Sequence, residues 1–131
     1  MFTGIVEKMS EVTSTEVREG CRRVRIRKST GWKLEKGQSV SIDGICSTIV
    51  AYSGASFDVM YMPETLSKTT AAYFTRGSIV NLERSLRYGD RIEGHLIQGH
   101  IDAHMRVVAI VEKGKSREFI IAVPKALVPR I

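Results

Sequence analysis

The chain is divided throughout into short runs rich in valine and isoleucine, and most runs stop at a turn that contains glycine. The turn pairs are Glu19-Gly20, Lys36-Gly37, Asp43-Gly44, Ser53-Gly54 and Lys113-Gly114. Short β-branched runs bounded by such turns are typical of strands. They predict eight strands: Ile5–Val12, Arg22–Arg27, Ser39–Ile42, Ile45–Ser53, Ser56–Met60, Ile79–Glu83, Ala103–Glu112 and Glu118–Val123. This spacing favours an all-β barrel or sandwich.

One segment has helical rather than strand character. Pro63 suits the first turn of a helix, Glu64 favours the positive end of the helix dipole, and Leu66 begins the apolar positions. The segment predicts a helix over Pro63–Tyr73, and a shorter helical turn is expected near Ser85–Tyr88.

Length and composition narrow the class of protein. A chain of 131 residues, 43% hydrophobic and 26% charged, is expected to form one soluble domain with its own core. It contains no apolar run of about 18 residues, so no membrane span is predicted. The first residues lack the pattern of a secretory signal, and a cytoplasmic location is the default. Cys21, Cys46 and the three histidines do not show a familiar metal spacing, so we expect neither a metal site nor a disulfide.

The net charge of +6 raises the question of an anionic partner. The densest basic cluster consists of Arg22, Arg23, Arg25, Arg27 and Lys28. Because Val24 and Ile26 alternate with arginines, the cluster is interpreted first as one solvated face of a strand. A phosphate-bearing or nucleic-acid ligand is the alternative. No aromatic residue stands among these arginines to stack on a base, so no nucleic-acid partner is predicted.

Two parts of the chain repeat each other at an offset of 95 residues. Gly4-Ile5-Val6-Glu7 aligns with Gly99-His100-Ile101-Asp102. The same offset places Val12 on Val107, Arg22 on Arg117, Val24 on Phe119 and Ile26 on Ile121. We therefore expect a first unit over residues 1–97 and the start of a second over residues 98–131. Two strands alone leave unpaired edges, so the second unit is expected to be incomplete.

Five segments resemble, in order, sequence elements of one family. They are Met-Phe-Thr-Gly-Ile-Val at 1–6, Asp-Gly-Ile-Cys-Ser-Thr at 43–48, Met-Pro-Glu-Thr-Leu at 62–66 with Thr69-Thr70, Val-Asn-Leu-Glu-Arg at 80–84, and Gly-Asp-Arg at 89–91 leading to Gly-His-Leu-Ile-Gln-Gly-His-Ile-Asp at 94–102. The family is that of the riboflavin synthases and related lumazine-binding barrels. Ser47 stands where the family has leucine, and Glu93 where it has glycine.

The resemblance implies a six-stranded Greek-key β-barrel with one short helix, followed by the first strands of a second barrel. Family chains contain two barrels and a C-terminal helix that assembles a homotrimer, so this chain resembles one truncated after its first barrel. The implied reaction converts two molecules of 6,7-dimethyl-8-ribityllumazine into riboflavin and 5-amino-6-ribitylamino-pyrimidinedione, without metal or cofactor. The resemblance also implies association with lumazine synthase. A truncated chain is expected to form a homodimer that covers its open edge.

The resemblance also implies which residues form the substrate pocket. The pocket residues are Gly4, Ile5, Val6, Cys46, Ser47, Thr48, Met60, Tyr61, Met62, Pro63, Glu64, Thr65, Gly99, His100 and Ile101. The catalytic candidates are Cys46, Ser39 and His100, with Phe2 and His95 in support. Cys46 would act as a nucleophile or proton shuttle, Ser39 would orient the attacking group, and the imidazole of His100 suits proton transfer near neutrality.

Structural interpretations of the same residues stay open. Cys46 can be a small buried hydrophobic residue, Ser39 a hydroxyl at the start of a strand, and His100 a histidine bonded to backbone. Met60 and Met62 can belong to the core. A binding module that carries a lumazine or flavin without catalysis is therefore the alternative function. The chain alone is expected to bind lumazine but to turn it over poorly, because the family site lies between barrels of neighbouring subunits.

Overall fold

The computed structural model describes residues 1–130, which form strands and a few short helices. The strands are β1 (Lys8–Arg18), β2 (Cys21–Arg27), β3 (Ser39–Ile42), β4 (Ile45–Tyr52), β5 (Ser56–Tyr61), β6 (Ile79–Arg84), β7 (Arg106–Lys113) and β8 (Ser116–Ala122). The helix α1 spans Pro63–Lys68, and 3₁₀ helices span Thr70–Tyr73 and Lys125–Arg130.

Six strands close into an antiparallel barrel in the order β1-β2-β5-β4-β3-β6, with β6 pairing again with β1. The step from β2 to β5 brings distant parts of the chain together, so that Val24 lies opposite Val59 and Ile26 opposite Phe57. The closed barrel with one short α-helix confirms the predicted fold class. β7 and β8 pair only with each other, as a separate two-stranded sheet.

The barrel interior is filled by the alternate, inward-pointing residues of its strands. Val24 and Ile26 are fully buried, while Arg25 and Arg27 between and after them are exposed. Burial of each large aliphatic side chain contributes about 1.5–3 kcal/mol. The buried cluster consists of Val12, Val24, Ile26, Trp32, Leu34, Val40, Ile42, Ile45, Ile49, Phe57, Val59, Tyr61, Ala71, Phe74, Val80 and Leu82.

The turn between β3 and β4 is a tight two-residue hairpin, as its Asp-Gly pair predicts. Asp43 and Gly44 both have positive φ angles, 49° and 84°, which a type I′ turn requires. The Asp43 carboxylate accepts a hydrogen bond from the backbone N–H of Asn81 at 2.7 Å. Burial raises the pKa of Asp43, although this hydrogen bond opposes the shift. This hydrogen bond therefore attaches the β3–β4 turn to β6.

The structure differs from the sequence-based expectation at several places. β1 spans Lys8–Arg18 rather than Ile5–Val12, and β7 begins at Arg106 rather than Ala103. Residues 2–6 lie outside β1 and form a segment called here the N-terminal arm. The predicted helix is interrupted at Thr69, whose backbone is extended (φ −130°, ψ 166°) and whose side chain caps the following 3₁₀ turn. The helical turn predicted near Ser85–Tyr88 was wrong, because only a turn at Tyr88–Gly89 forms there.

Among residues 1–130 no helix is long and apolar enough to cross a membrane.

Candidate functional site

The N-terminal arm is held between the barrel and a later segment of the chain. Phe2 is almost completely buried and forms an antiparallel bridge with Ile97, with N···O distances of 2.8 and 2.9 Å. The backbone N–H of His95 donates to the carbonyl of Thr3 at 3.0 Å. Gly94 packs so closely on Thr3 that a Cβ atom at position 94 would lie 2.4 Å from the Thr3 carbonyl oxygen. Residues 94–97 therefore fix the position of the arm.

The same segment continues to the start of β4. The carbonyl of Gly99 accepts a hydrogen bond from the backbone N–H of Cys46 at 2.9 Å. Gly99 has a φ angle of +78°, and a Cβ atom there would lie only 2.9 Å from the Cys46 nitrogen. Any larger residue would push the segment away from β4. Residues 94–99 thus connect Phe2 and Thr3, beside Gly4, to Cys46 through backbone hydrogen bonds. This framework links three of the pocket walls that the resemblance implies, at Gly4, Cys46 and Gly99.

The outer face of β4 presents two of the candidate residues. Cys46 and Thr48 alternate with Ile45, Ser47 and Ile49, which point into the barrel. Thr48 is exposed and Cys46 is half-buried. A flat ligand on this face would therefore contact the thiol and the threonine hydroxyl from outside the barrel.

Two predicted pocket residues point into the barrel. The Ser47 hydroxyl lies 2.9 Å from the Tyr61 hydroxyl, and both residues are buried. Burial raises the pKa of Tyr61 above its ordinary value of 10.0, against the effect of the Ser47 hydrogen bond. Only the backbone groups of Ser47 and Tyr61 are available to a ligand outside the barrel.

The end of β5 and the start of α1 form a neighbouring exposed surface. Met60 and Met62 are 42% and 56% exposed, which excludes the alternative that they belong to the core. Pro63 occupies the first turn of α1, and Thr65 is half-buried on the same helix. The exposed Glu64 carboxylate binds Lys68 at 2.7 Å, and this hydrogen bond lowers the pKa of Glu64.

The three catalytic candidates lie on neighbouring segments but do not contact one another through side-chain hydrogen bonds in the described part of the chain. Ser39 lies opposite Thr48 in the β3–β4 ladder. His100 is exposed, and Ile101 packs partly against the core. Within the described residues, no side-chain hydrogen bond joins Cys46, Ser39 and His100, and so the chain does not present a preformed catalytic dyad. His95 contributes its backbone to the arm and keeps an exposed side chain.

A cavity of about 530 Å³ lies beside the arm, where Thr3 and Ile5 line it. Of the predicted site residues only Ile5 and Ser39 line it, and many of its other walls are charged side chains, among them Glu83, Arg84 and Arg87. A smaller cavity of about 80 Å³ lies directly at the arm, between Gly4, Val6, Gly44 and Ile97. We place the candidate site at the arm, because that is where the separate sequence segments converge.

The sequence analysis did not identify one functional candidate, Glu83, beyond its place in the Val-Asn-Leu-Glu-Arg segment at 80–84. Glu83 lies on β6 with 7% exposure. Its carboxylate accepts hydrogen bonds from the backbone N–H and hydroxyl of Thr3 and from the N–H of Gly4. Strand alternation puts Glu83 on the outer face, where a carboxylate usually meets water. Only the tertiary structure reveals that the arm covers it.

Three arginines of β2 form ion pairs with acidic residues of neighbouring barrel strands. Arg23 and Arg25 both bind Asp58, at 2.6 and 2.7 Å, and Arg27 binds Glu11 at 2.8 Å. Asp58 is buried, and the hydrogen bond from Arg25, together with Arg23, lowers its pKa. These pairs favour the interpretation of the basic cluster as a structural strand face over a nucleic-acid surface.

No group of three or more histidine, cysteine or acidic residues in the described part of the chain is arranged to hold a metal.

Comparisons with known proteins agree with this architecture. Residues 3–85 match the lumazine binding domain family. The riboflavin synthase of Mycobacterium tuberculosis is 39% identical over 111 residues, which are 83% of this chain and 55% of that protein. The riboflavin synthase of Brucella abortus is 34% identical over 140 aligned residues, which cover 100% of this chain and 68% of that protein.

Solved structures show the same fold. LumP complexed with riboflavin superposes with a TM-score of 0.88 at 25% identity, covering 100% of this chain and 72% of LumP. LumP complexed with 6,7-dimethyl-8-(1'-D-ribityl) lumazine gives a TM-score of 0.83 at 24% identity, over 95% of this chain and 70% of LumP. The chain spans about half the length of the mycobacterial relative, 55%. The match to the family over the barrel, and the identity to a riboflavin synthase over the whole chain, show that this chain belongs to the riboflavin synthase family of lumazine-binding proteins.

Proposed function

We propose that the chain binds a ribityl-lumazine or flavin at the N-terminal arm, and that it is the lumazine-binding barrel of a riboflavin synthase. The observation that carries the proposal is the backbone framework by which residues 94–99 link the arm to Cys46 at the start of β4. Three segments far apart in the sequence are thereby joined, and the arm carries exposed Ile5 and Val6 side chains. This arrangement offers apolar contact for a flat ring and polar groups for its edge.

The residues suit a reaction in which two identical ring systems are held against each other. Dismutation of 6,7-dimethyl-8-ribityllumazine transfers a four-carbon unit from one molecule to the other, and the electron-poor ring makes its C7 methyl group acidic. Holding the two rings in a reactive orientation supplies much of the required acceleration. We propose that Cys46, Ser39 and His100 assist the proton transfers and the nucleophilic addition. The lack of a side-chain hydrogen bond among these residues in the described part of the chain supports the view that a second barrel completes the site.

The test of the proposed function measures binding of two ligands by the purified chain. We expect saturable binding of riboflavin and of 6,7-dimethyl-8-ribityllumazine by fluorescence titration, with one ligand per chain. His100→Gln is expected to weaken lumazine binding or turnover, whereas the control His104→Gln is expected to change neither. His104 is a suitable control because its ring packs against Tyr73, which is not one of the predicted site residues. Failure of the wild-type chain to bind either ligand would refute the proposed function.

A second candidate function is a binding module without catalysis. The lack of a side-chain hydrogen bond among the three catalytic candidates in the described residues favours it for this chain alone. Steady-state formation of riboflavin from the lumazine decides between them. Binding with little turnover is the expected result, and rapid turnover by the isolated chain would show that one barrel is sufficient.

The assembly and surroundings of the chain are also proposals. A homotrimer for a chain with two barrels and association with lumazine synthase follow from the family resemblance. The homodimer proposed for this chain follows from the open edge of its second unit, and the cytoplasm is the default location expected from the sequence. Light scattering over a range of concentrations measures the oligomer. A monomer at all concentrations would contradict the proposed homodimer.

A further inference from the structure

The environment of Glu83 suggests a role beyond support of the barrel. Its side chain leaves the outer face of β6, yet the N-terminal arm covers it, so that the residue is only 7% exposed. Burial of a carboxylate is costly unless donors surround it. Here one carboxylate oxygen accepts from the N–H and hydroxyl of Thr3, and the other accepts from the N–H of Gly4 at 3.1 Å.

The effect of Glu83 extends one step further along the arm. The Thr3 hydroxyl donates to Glu83 at 2.7 Å and at the same time accepts from the backbone N–H of Ile5 at 3.2 Å. The carboxylate therefore fixes three consecutive residues of the arm, two directly and one through the threonine. Ile5 itself keeps an exposed side chain, 50% of its surface.

The opposite side of the arm is held by residues 94–97. The carbonyl of Thr3 accepts from His95, and a Cβ atom on Gly4 would lie 2.7 Å from the Cδ1 atom of Ile97. With Glu83 below and this segment beside it, the arm has little freedom. A site of this kind binds more tightly because its backbone is ordered before the ligand arrives.

We propose that Glu83 is a positioning residue for the ligand site: it holds Thr3, Gly4 and Ile5 in the conformation that accepts the ring. The inference rests on the proposed function, which places the lumazine or flavin at the arm. Glu83 does not contact the ligand in this scheme. It acts through the arm, and its loss frees the arm while the barrel strands stay paired.

The choice of substitution follows from the hydrogen-bond chemistry. A carboxylate offers only acceptors, whereas a glutamine has one acceptor oxygen and one NH₂ donor. In Glu83→Gln, either Thr3 or Gly4 must face a donor instead of an acceptor. The matched control is Glu7→Gln, since Glu7 also binds β6 through a carboxylate but its partner is Arg84, at 2.6 Å.

The test combines riboflavin titration by fluorescence with amide hydrogen exchange of Thr3 and Gly4 by NMR. Loss of one charge-assisted hydrogen bond at the arm is expected to raise the riboflavin Kd about tenfold in Glu83→Gln. Exchange of the Thr3 or Gly4 amide should become faster. Glu7→Gln is expected to lower the melting temperature while it leaves the Kd within about twofold of wild type.

Two results would overturn the inference. One is a Glu83→Gln protein that binds riboflavin as tightly as wild type. The other is unchanged protection of the Thr3 and Gly4 amides in that variant, which decides the matter even if no ligand binds. Absence of binding by the wild-type chain would refute the proposed function instead.

A milder variant keeps the test available if Glu83→Gln does not fold. Thr3→Val removes the hydroxyl that links Glu83 to Ile5 and preserves the shape of the side chain. We expect the riboflavin Kd of this variant to rise roughly threefold, with barrel stability nearly unchanged. An unchanged Kd in Thr3→Val would contradict the role of the link.

Discussion

The β1–β2 and β7–β8 hairpins have the same geometry in two different surroundings. In the first, Val12 lies opposite Ile26, and a bulge follows between Val12 and Ser14. In the second, Val107 lies opposite Ile121, and the bulge follows between Val107 and Ala109. Both the register and the bulge are reproduced at the 95-residue offset of the sequence repeat. Strand pairing within a hairpin is therefore encoded locally.

The burial of the two hairpins differs at equivalent positions. The exposed fractions are 0% at Val12, Val24 and Ile26, against 47% at Val107, 55% at Phe119 and 48% at Ile121. The first hairpin is covered because β5 and β6 pair with its two edges and close the barrel. The second has no such neighbours among the described strands. An apolar, well-registered hairpin thus gains its burial only from long-range partners.

Hydrogen exchange gives the largest expected contrast between the hairpins. Opening of β2 requires the barrel to unfold, which typically costs about 5–15 kcal/mol. Opening of β7–β8 requires only a local change, and two isolated strands are marginally stable. At protein concentrations where the proposed homodimer dissociates, we expect amides of β2 to exchange at least ~10³-fold more slowly than those of β8, measured by NMR. Equal protection would mean that β7–β8 is covered in solution.

Matched core substitutions give the next largest effect. Ile26→Ala removes a fully buried side chain and is expected to lower the free energy of unfolding by about 2–5 kcal/mol. Ile121→Ala, at the equivalent position, is expected to change it by less than about 0.5 kcal/mol. Urea denaturation followed by Trp32 fluorescence measures both. A large loss in Ile121→Ala would show that the second hairpin contributes to the same cooperative unit.

The two hairpins also show how much of the structure the sequence predicts. All six barrel strands and the Asp43-Gly44 turn follow from periodicity and turn residues, because these depend on neighbours in the chain. The family resemblance supplied the closure of the barrel. Local patterns could not predict the break at Thr69 or the separation of the arm from β1, since both depend on contacts made after the barrel forms.

The candidate site was predictable in part for the same reason. The resemblance identified Gly4, Cys46 and Gly99, which the structure joins through one framework. It did not indicate that the side chains of Ser47 and Tyr61 would point into the barrel. The catalytic roles of Cys46, Ser39 and His100, and the division of the chain after residue 97, stay predictions.

Ion pairs on the two hairpins provide a third contrast. Asp58 is buried against two arginines of β2, whereas Glu118 of β8 is 54% exposed and pairs with Lys113. Asp58→Asn is expected to destabilise the barrel by about 1–3 kcal/mol, because it weakens charge-assisted hydrogen bonds in a buried place. Glu118→Gln is expected to cost less than about 0.5 kcal/mol. Equal losses would show that burial does not distinguish these pairs.

The stability difference between wild type and Asp58→Asn is expected to depend on pH, because the wild-type Asp58 carboxyl titrates. Hydrogen bonds from Arg25 and Arg23 hold the pKa of Asp58 below its usual value of 3.8 in the folded protein. As the pH falls, the unfolded chain therefore takes up this proton first, and the stabilisation is lost on passing through the lower folded pKa. Denaturation at pH 7 should separate wild type from Asp58→Asn, and the difference should shrink below pH 4. A difference as large at pH 2 as at pH 7 would contradict this cause.

The turn glycines give the smallest effect and isolate the local contribution. Gly20 closes the first hairpin at φ +76°, and Gly114 closes the second at φ +62°. Alanine at such angles is expected to cost about 1 kcal/mol. In Gly20→Ala this cost should appear in full in the free energy of unfolding of the barrel. Gly114→Ala should change that free energy by less than about 0.3 kcal/mol, since its hairpin opens separately.

Gly54→Ala is the control: Gly54 is a turn glycine whose φ is not positive, and a Cβ atom there meets nothing within 4 Å. It should be neutral or slightly stabilising. Equal losses in Gly20→Ala and Gly114→Ala would mean that the two hairpins unfold together, and that their different burial does not separate them energetically.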